Sequence, residues 1–309
     1  MIPRMIRLFC VRLVAFAFTA ALITSCGGNP PPPLNARYSD RPQVNSPVQR
    51  QAVHIAAIPR TPPPAIAAES AIVIDAVSGR VFYAKNADQP RAVASTQKIL
   101  TALCVLDAGN IDQLVTVAAS DGNCEPTKIG IRAGETYTRR ELLKVLMIKS
   151  ANDVARSLAR DVAGSQESFA TMMNQKSVSL GMRNSNFRNP HGLTEPNQYS
   201  TARDMAIAGR AIYRSPLMRS FTAMKSFKFV FNSGRSITLQ NTNKVLKMLP
   251  YCDGLKTGTT NASGRCLVAS GSLNGRSVIV VVLKSDTANV WTDSAKLLRW
   301  ALERPIPSN

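Results

Sequence analysis

Three short motifs place hydroxyl, amine and amide side chains at spacings that suit nucleophilic catalysis. They are Ser95-Thr96-Gln97-Lys98, Ser150-Ala151-Asn152 and Lys256-Thr257-Gly258. Positions i and i+3 of a helix share one face, so Ser95 and Lys98 can meet at one point. Burial beside a second cation lowers the pKa of a lysine, and Lys98 can then act as the base that activates Ser95.

The other two motifs also have plainer explanations when each is taken alone. Ser150 and Asn152 fall where one predicted helix stops and another begins, a place where such residues cap helices. As chemistry, Ser150 can relay a proton and Asn152 can hydrogen-bond a peptide. Lys256 and Thr257 lie on a predicted strand and can bind a carboxylate, or form an ordinary strand end. Gly258 lets a substrate backbone approach closely.

The order and context of the three motifs resemble the serine D-alanyl-D-alanine carboxypeptidases, a family of penicillin-binding enzymes. The resemblance extends from about residue 71 to residue 302, and residues 149–153, 191–193, 199–206 and 253–260 also carry it. It implies that Ser95 attacks the penultimate D-Ala carbonyl of a peptidoglycan stem peptide while Lys98 accepts its proton. Ser150 would help to protonate the departing D-Ala, and water would hydrolyse the acyl-enzyme.

The same resemblance implies a set of substrate-binding residues. Backbone N–H groups of Ser95 and Thr259 would hold the oxyanion, and Asn152 would hold the substrate amide. Lys256 and Thr257, with Gly258 beside them, would receive the terminal carboxylate. It further implies β-lactam antibiotics as acylating inhibitors, and neither a cofactor nor a metal.

Two other classes of function remain open from the sequence. A β-lactamase needs a deacylating carboxylate, and the nearest acids are Glu167 and Glu195, neither in a recognisable motif. A noncatalytic peptidoglycan-binding lipoprotein is the second alternative. One departure from the family concerns the carboxylate site: relatives often have an arginine just before the last helix, where residues 289–292 here read Asn-Val-Trp-Thr.

Composition excludes several other classes. The chain has only two histidines, and His54 lies in a proline-rich stretch. The sequence therefore offers almost no histidine for a Ser-His-Asp triad or a histidine metal site. We expect His191 to be structural.

The formal charge of +19 favours anionic cell-envelope polymers or lipids over nucleic acid as binding partners, because no basic motif is interleaved with aromatics. A diffuse solvated surface charge is the plainer explanation.

The N-terminal segment predicts export. Three arginines precede an apolar run over residues 13–22 that is shorter than the roughly 20 residues needed to span a bilayer. Ile23-Thr24-Ser25-Cys26 then resembles a lipoprotein signal, with ordinary cleavage nearby as the alternative. We therefore expect a signal peptide over 1–25, a lipidated Cys26 and proline-rich tether over 26–65, a catalytic domain over 66–305, and no C-terminal β-domain. The protein would be exported and held at the envelope membrane by its N-terminal lipid.

Hydrophobic periodicity predicts the order of elements within the catalytic domain. A hairpin (71–75 and 81–83) comes first, followed by a helix over 95–106 and a short strand over 115–117. Further helices are predicted over 138–150, 153–162, 166–180 and 201–213. Strands over 227–231, 236–239, 255–257, 266–270 and 278–283 precede a closing helix over 291–302. This pattern predicts an α+β (αβα) fold like that of the DD-peptidases and β-lactamases, in which an antiparallel sheet from both chain ends encloses a helical insert. Cys252 and Cys266 flank a predicted hairpin, and whether they pair stays open, as it does for Cys104 and Cys124.

Overall fold

The computed structural model describes residues 61–303, whose centre is a five-stranded antiparallel sheet in the order β2-β1-β9-β8-β7. The strands are β1 Ser70–Asp75, β2 Val81–Lys85, β3 Leu114–Thr116, β4 Thr136–Thr138, β5 Ser226–Val230, β6 Ser236–Gln240, β7 Cys252–Thr260, β8 Gly264–Leu273 and β9 Arg276–Ser285. The helices are α1 Lys98–Asp107, α2 Arg139–Ile148, α3 Asn152–Ala163, α4 Gln166–Leu180, α5 Ala202–Tyr213, α6 Pro216–Thr222, α7 Val245–Met248 and α8 Asn289–Leu302.

The predicted closure of the sheet by both chain ends is confirmed. β1 pairs antiparallel with β9, so that Ser70 lies opposite Leu283 and Asp75 opposite Val278. Helices α1 to α6 lie between these two parts of the sheet in the sequence and form the inserted lobe. The fold is therefore the α+β arrangement that the order of elements predicts.

The sheet separates two apolar clusters. Alternate side chains point to opposite faces, so Val268 packs with the helical lobe while its neighbour Leu267 packs with α7 and α8. The same alternation continues at the β7 edge and decides which site residues face the lobe and which face α8.

Several boundaries differ from the sequence prediction. The predicted helix over 95–106 begins as a 3-10 turn, Ala94–Gln97, before α1 starts at Lys98. The three last strands are longer than their apolar runs, because polar residues at the β7 edge still form ladder hydrogen bonds. The short elements β4, α6 and α7 were missed; Ser215, which caps α6, and Pro216 at its first position are the signals that predict α6.

The Cys252–Cys266 pair that the sequence left open does not form. Both thiols are free, as are those of Cys104 and Cys124. The β7–β8 register sets Cys266 opposite Gly258, six residues along the strand from Cys252, which is roughly 20 Å. That separation is far beyond the reach of a disulfide.

The predicted signal peptide, Cys26 and nearly all of the tether lie outside the described residues. Between residues 61 and 303, no helix combines the length and the apolar character needed to cross a membrane.

Candidate active site

The Ser-x-x-Lys motif folds so that its serine and lysine touch. Ser95 lies in the 3-10 turn and Lys98 is the first residue of α1, one turn further on. Lys98 Nζ lies 2.8 Å from Ser95 Oγ, 2.7 Å from Asn152 Oδ1 and 2.6 Å from the carbonyl oxygen of His191. Its side chain is completely buried.

Burial sets the protonation of the two lysines in the site. Burial, reinforced by the positive charge of Lys256, lowers the pKa of Lys98 well below its ordinary value. Burial alone lowers the pKa of Lys256 to about 7. Lys256 Nζ donates to the carbonyl oxygen of Thr257 at 2.9 Å. Two amines that would be charged in water therefore meet in a site where charge is costly.

Asn152 joins the helical lobe to the lysine. It is the first residue of α3, and besides accepting from Lys98 its side-chain amide donates to the carbonyl oxygen of Glu125 at 2.9 Å. Its backbone N–H donates to the carbonyl oxygen of Thr127 at 2.7 Å. The next residue, Asp153, is buried and accepts from the backbone N–H groups of Ile129 and Gly130, which holds the same loop.

Ser150 lies in the connection between α2 and α3. Its backbone takes a positive φ of 69°, a conformation that is uncommon outside glycine, and its N–H donates to the carbonyl oxygen of Val145. Ser150 lines the same cleft as Ser95, and its hydroxyl makes no hydrogen bond to any residue between 61 and 303. The hydroxyl is thus available to a bound molecule.

The Lys-Thr-Gly motif lies on β7, whose two faces serve different purposes. Gly258 packs against the nucleophile's turn: a Cβ added there would lie 2.9 Å from the backbone N atoms of Ser95 and Thr96. Only glycine allows this contact. Thr257 and Thr259 point to the other face, and Thr257 Oγ1 lies 2.7 Å from Thr242 Oγ1.

The side chain of His191 is buried, and we assign it a structural role. Its main-chain carbonyl contacts the Ser95–Lys98 pair, which the sequence did not reveal. Burial, with the charges of Lys98 and Arg156, lowers the pKa of the imidazole to about 3, so the ring is neutral. Its carbonyl oxygen accepts from both Lys98 Nζ and Ser95 Oγ, the latter at 3.1 Å. Gly192, which follows, packs against the backbone of Ala94. The His-Gly pair in the sequence was the only signal of this contact.

All three motifs open onto one cleft of about 820 Å³. Among residues 61–303, the lining includes no carboxylate and four cations, namely Lys149, Lys244, Lys247 and Arg265. Glu167 and Glu195, the acids weighed for a deacylating role, are exposed and do not line it. The cleft is therefore electropositive and suits an anionic ligand.

A half-buried serine beside a fully buried lysine at an electropositive cleft is typical of the class of serine enzymes that transfer acyl groups. The profile of the D-alanyl-D-alanine carboxypeptidase family matches residues 57–287, and the chain belongs to that family.

Individual relatives agree with the family match. The chain is 36% identical over 225 residues to D-alanyl-D-alanine carboxypeptidase DacF of Bacillus subtilis, covering 71% of this chain and 58% of the relative. It is 37% identical over 252 residues to DacC of Escherichia coli, covering 77% and 62%. A solved D-alanyl-D-alanine carboxypeptidase from Mycobacterium tuberculosis superposes with a TM-score of 0.75 at 29% identity, covering 80% of this chain and 95% of that one. The chain thus spans about 60% of the length of the first two relatives.

Proposed function

We propose that this protein is a serine D-alanyl-D-alanine carboxypeptidase that removes the terminal D-Ala from peptidoglycan stem peptides and is acylated by β-lactams. The observation that carries the proposal is the completely buried Lys98, whose amine lies 2.8 Å from Ser95 Oγ. Family membership supports the substrate class, and the electropositive cleft suits a peptide that ends in a free carboxylate.

The lowered pKa of Lys98 favours a neutral amine, and the contacts around Nζ can serve one. An uncharged amine has two N–H donors and one lone pair. Two of its neighbours, Asn152 Oδ1 and the carbonyl oxygen of His191, are acceptors and can take the two N–H bonds. In the structure Lys98 Nζ donates to Ser95 Oγ, and Ser95 Oγ donates to the His191 carbonyl oxygen. When Lys98 is neutral, rotation of the Ser95 hydroxyl toward the free lone pair lets Lys98 remove its proton as Oγ attacks the D-Ala carbonyl carbon.

The remaining steps use groups around the same cleft. The oxyanion would be held by the backbone N–H groups of Ser95 and Thr259, and Gly258 lies against the nucleophile's turn as that role requires. Ser150, whose hydroxyl is available, would pass a proton to the leaving D-Ala. Asn152 would hold the substrate amide.

The leaving residue would be held by its carboxylate. Thr257, with the charge of Lys256 behind it, would receive the carboxylate, and Thr259 would lie alongside. Water would then release the shortened peptide from Ser95.

No carboxylate of the described part of the chain lines the cleft, which favours a penicillin-binding enzyme over a β-lactamase. A β-lactamase of this superfamily needs a carboxylate that activates water for rapid hydrolysis of the penicilloyl ester. Neither Glu167 nor Glu195 lies where it can serve, so the penicilloyl adduct should persist.

The test is intact mass of residues 61–309 after exposure to a penicillin, with release of D-Ala from a D-Ala-D-Ala peptide measured in parallel. We expect one persistent adduct and D-Ala release from the wild type, and neither from Ser95→Ala. Peptide binding without adduct or release would instead indicate a noncatalytic peptidoglycan-binding protein. Rapid destruction of the drug without an adduct would indicate a β-lactamase.

We further propose that the protein is an exported lipoprotein held at the envelope membrane through Cys26. The basic N-terminal segment, its short apolar run and the Ile-Thr-Ser-Cys sequence support this. Labelled fatty acid should appear on the full chain and be lost from Cys26→Ser, with the protein then released from the membrane fraction. Unchanged labelling of the variant would contradict the proposal.

A further inference from the structure

The α8 side of the cleft needs a cation that α8 does not supply. Thr287, Val290 and Trp291 line the cleft where α8 begins, and none of them is charged. Under the proposed function, the leaving D-Ala carries a carboxylate that must be held beside Thr257. Lys256 places its charge behind Thr257, so a cation that meets this carboxylate from the α8 side would come from another element.

Of the arginines that the structure describes, Arg265 alone lines the cleft, and it reaches the site from the neighbouring strand. In the β7–β8 ladder Arg265 lies directly opposite Thr259. Cβ atoms of directly opposed residues lie about 5 Å apart on the same face of a sheet. Arg265 therefore projects from the face that carries Thr257 and Thr259, toward α8, and not from the face that packs on Ser95.

The guanidinium is held in place while most of its donors stay available. Arg265 Nε donates to Thr287 Oγ1 at 3.1 Å, at the turn before α8. Its terminal N–H groups make no hydrogen bond, and its charge forms no ion pair, with any residue in the range 61–303. A guanidinium anchored through Nε presents its two terminal nitrogens as a planar fork, the geometry that binds a carboxylate through two parallel hydrogen bonds.

The two lysines at α7 fit this carboxylate-binding role less well than Arg265. Lys244 and Lys247 are exposed at α7, and the amine of Lys244 lies over the Trp291 ring, 5.7 Å from its centroid. A lysine offers a mobile point charge without the bidentate geometry. Arg265 is half-buried and fixed on a strand of the central sheet.

We propose that Arg265 binds the C-terminal carboxylate of the leaving residue and so determines the preference for substrates with a free C-terminus. This proposal rests on the proposed function and adds to it the residue that distinguishes a carboxylate from a neutral leaving group. Arg265 then takes the place of the arginine that relatives have before the last helix.

Two acyl donors with one acyl part and different leaving groups test the proposal. The first is diacetyl-Lys-D-Ala-D-Ala; the second is diacetyl-Lys-D-Ala S-ethyl thioester, whose leaving group is neutral and reactive enough to measure. Arg265→Gln should lower kcat/KM for the first about 10- to 100-fold, the range expected when a charge-assisted hydrogen bond is lost. It should leave kcat/KM for the thioester within about twofold.

Two further variants separate charge, shape and folding. Arg265→Lys keeps the charge without the fork and should recover only part of the loss. Arg80→Gln removes one positive charge on the β1–β2 side of the sheet, outside the cleft lining, and should change neither rate. An equal loss on both donors would show a general defect and overturn the proposal, as would an unchanged rate on the peptide. If the wild type hydrolyses neither donor, the proposed function itself fails, so the two failures are distinguishable.

Discussion

The contact between Gly192 and the nucleophile's turn can be tested by adding a single methyl group. In Gly192→Ala the new Cβ would lie 2.2 Å from the carbonyl oxygen of Ala94 and 2.8 Å from the backbone N of Ser95. Ordinary van der Waals contact begins near 3.4 Å, so the two backbones must separate by about 1.2 Å. The turn that must move is the one that holds Ser95.

The size of the effect follows from that displacement. A misplacement of about 1 Å in a catalytic group costs roughly 100-fold in rate. Gly192 also has a φ of +90°, and a side chain in the left-handed region costs roughly 1 to 2 kcal/mol of stability. We therefore expect acylation by penicillin to slow by about 100-fold or more in Gly192→Ala.

Gly181→Ala is the matched control because it shares the backbone strain without the clash. Gly181 ends α4 with a φ of +85°, and no atom lies within 4 Å of an added Cβ. Both variants should lose roughly 1 to 2 kcal/mol through their backbones, which corresponds to a fall in Tm of about 2 to 8 °C. Only Gly192→Ala should also lose acylation.

The assay is the second-order rate of labelling by a fluorescent penicillin, measured with the thermal unfolding midpoint of each variant. If Gly192→Ala folds and acylates at the wild-type rate, the packing of this loop against Ser95 does not position the nucleophile. If Gly181→Ala loses acylation to the same degree, backbone strain and not the contact is responsible.

Three further predictions concern buried charge and the unused acids. Because burial lowers the pKa of Lys256 to about 7, this residue binds a proton in the unfolded chain but not in the folded one between about pH 7 and 10, and its contribution to stability should rise over that range by roughly 2 to 4 kcal/mol. The free energy of unfolding in urea, measured at pH 7 and pH 9.5, should rise less in Lys256→Met than in the wild type. An equally steep rise in the variant would contradict the lowered pKa of Lys256. Asp153→Asn weakens the hydrogen bonds to Ile129 and Gly130 and should cost about 2 kcal/mol in urea unfolding, against less than 1 kcal/mol for the exposed Asp112→Asn. Glu195→Gln should leave the rate of penicilloyl release within about twofold, and a large slowing would identify Glu195 as a deacylating base.

The secondary structure followed from the sequence where local patterns were strong. The side chain of Thr138 accepts from the N–H of Glu141, and the carboxylate of Glu141 accepts in return, as the capping box before α2 predicts. The Asn232-Ser233-Gly234 turn lies between β5 and β6, in the gap between the strands predicted over 227–231 and 236–239. The ends of β7 to β9 were not predicted, because strand length there depends on cross-strand hydrogen bonds that no single strand encodes.

The cysteines also show that strand register could not be predicted from the sequence. Cys252 and Cys266 flank a turn in the sequence, and this proximity suggested a pair across it. The register of β7 against β8 places them roughly 20 Å apart, since β7 begins at Cys252 itself. Register is a property of two strands together, so neither strand's sequence reveals it alone.

What the sequence alone indicated is a candidate nucleophile and base, because the spacing that brings Ser95 and Lys98 together within one helical turn is a local property of the chain. The order of the three motifs likewise identified the family before any fold was known. The tertiary structure decided the burial of Lys98 and the groups that surround it. Lys98 is a candidate base because the sheet and lobe bury it and bring Asn152, the His191 carbonyl and Lys256 to it from distant parts of the chain. The place of Arg265 opposite Thr259 depends on strand register, and so it too exists only in the folded chain.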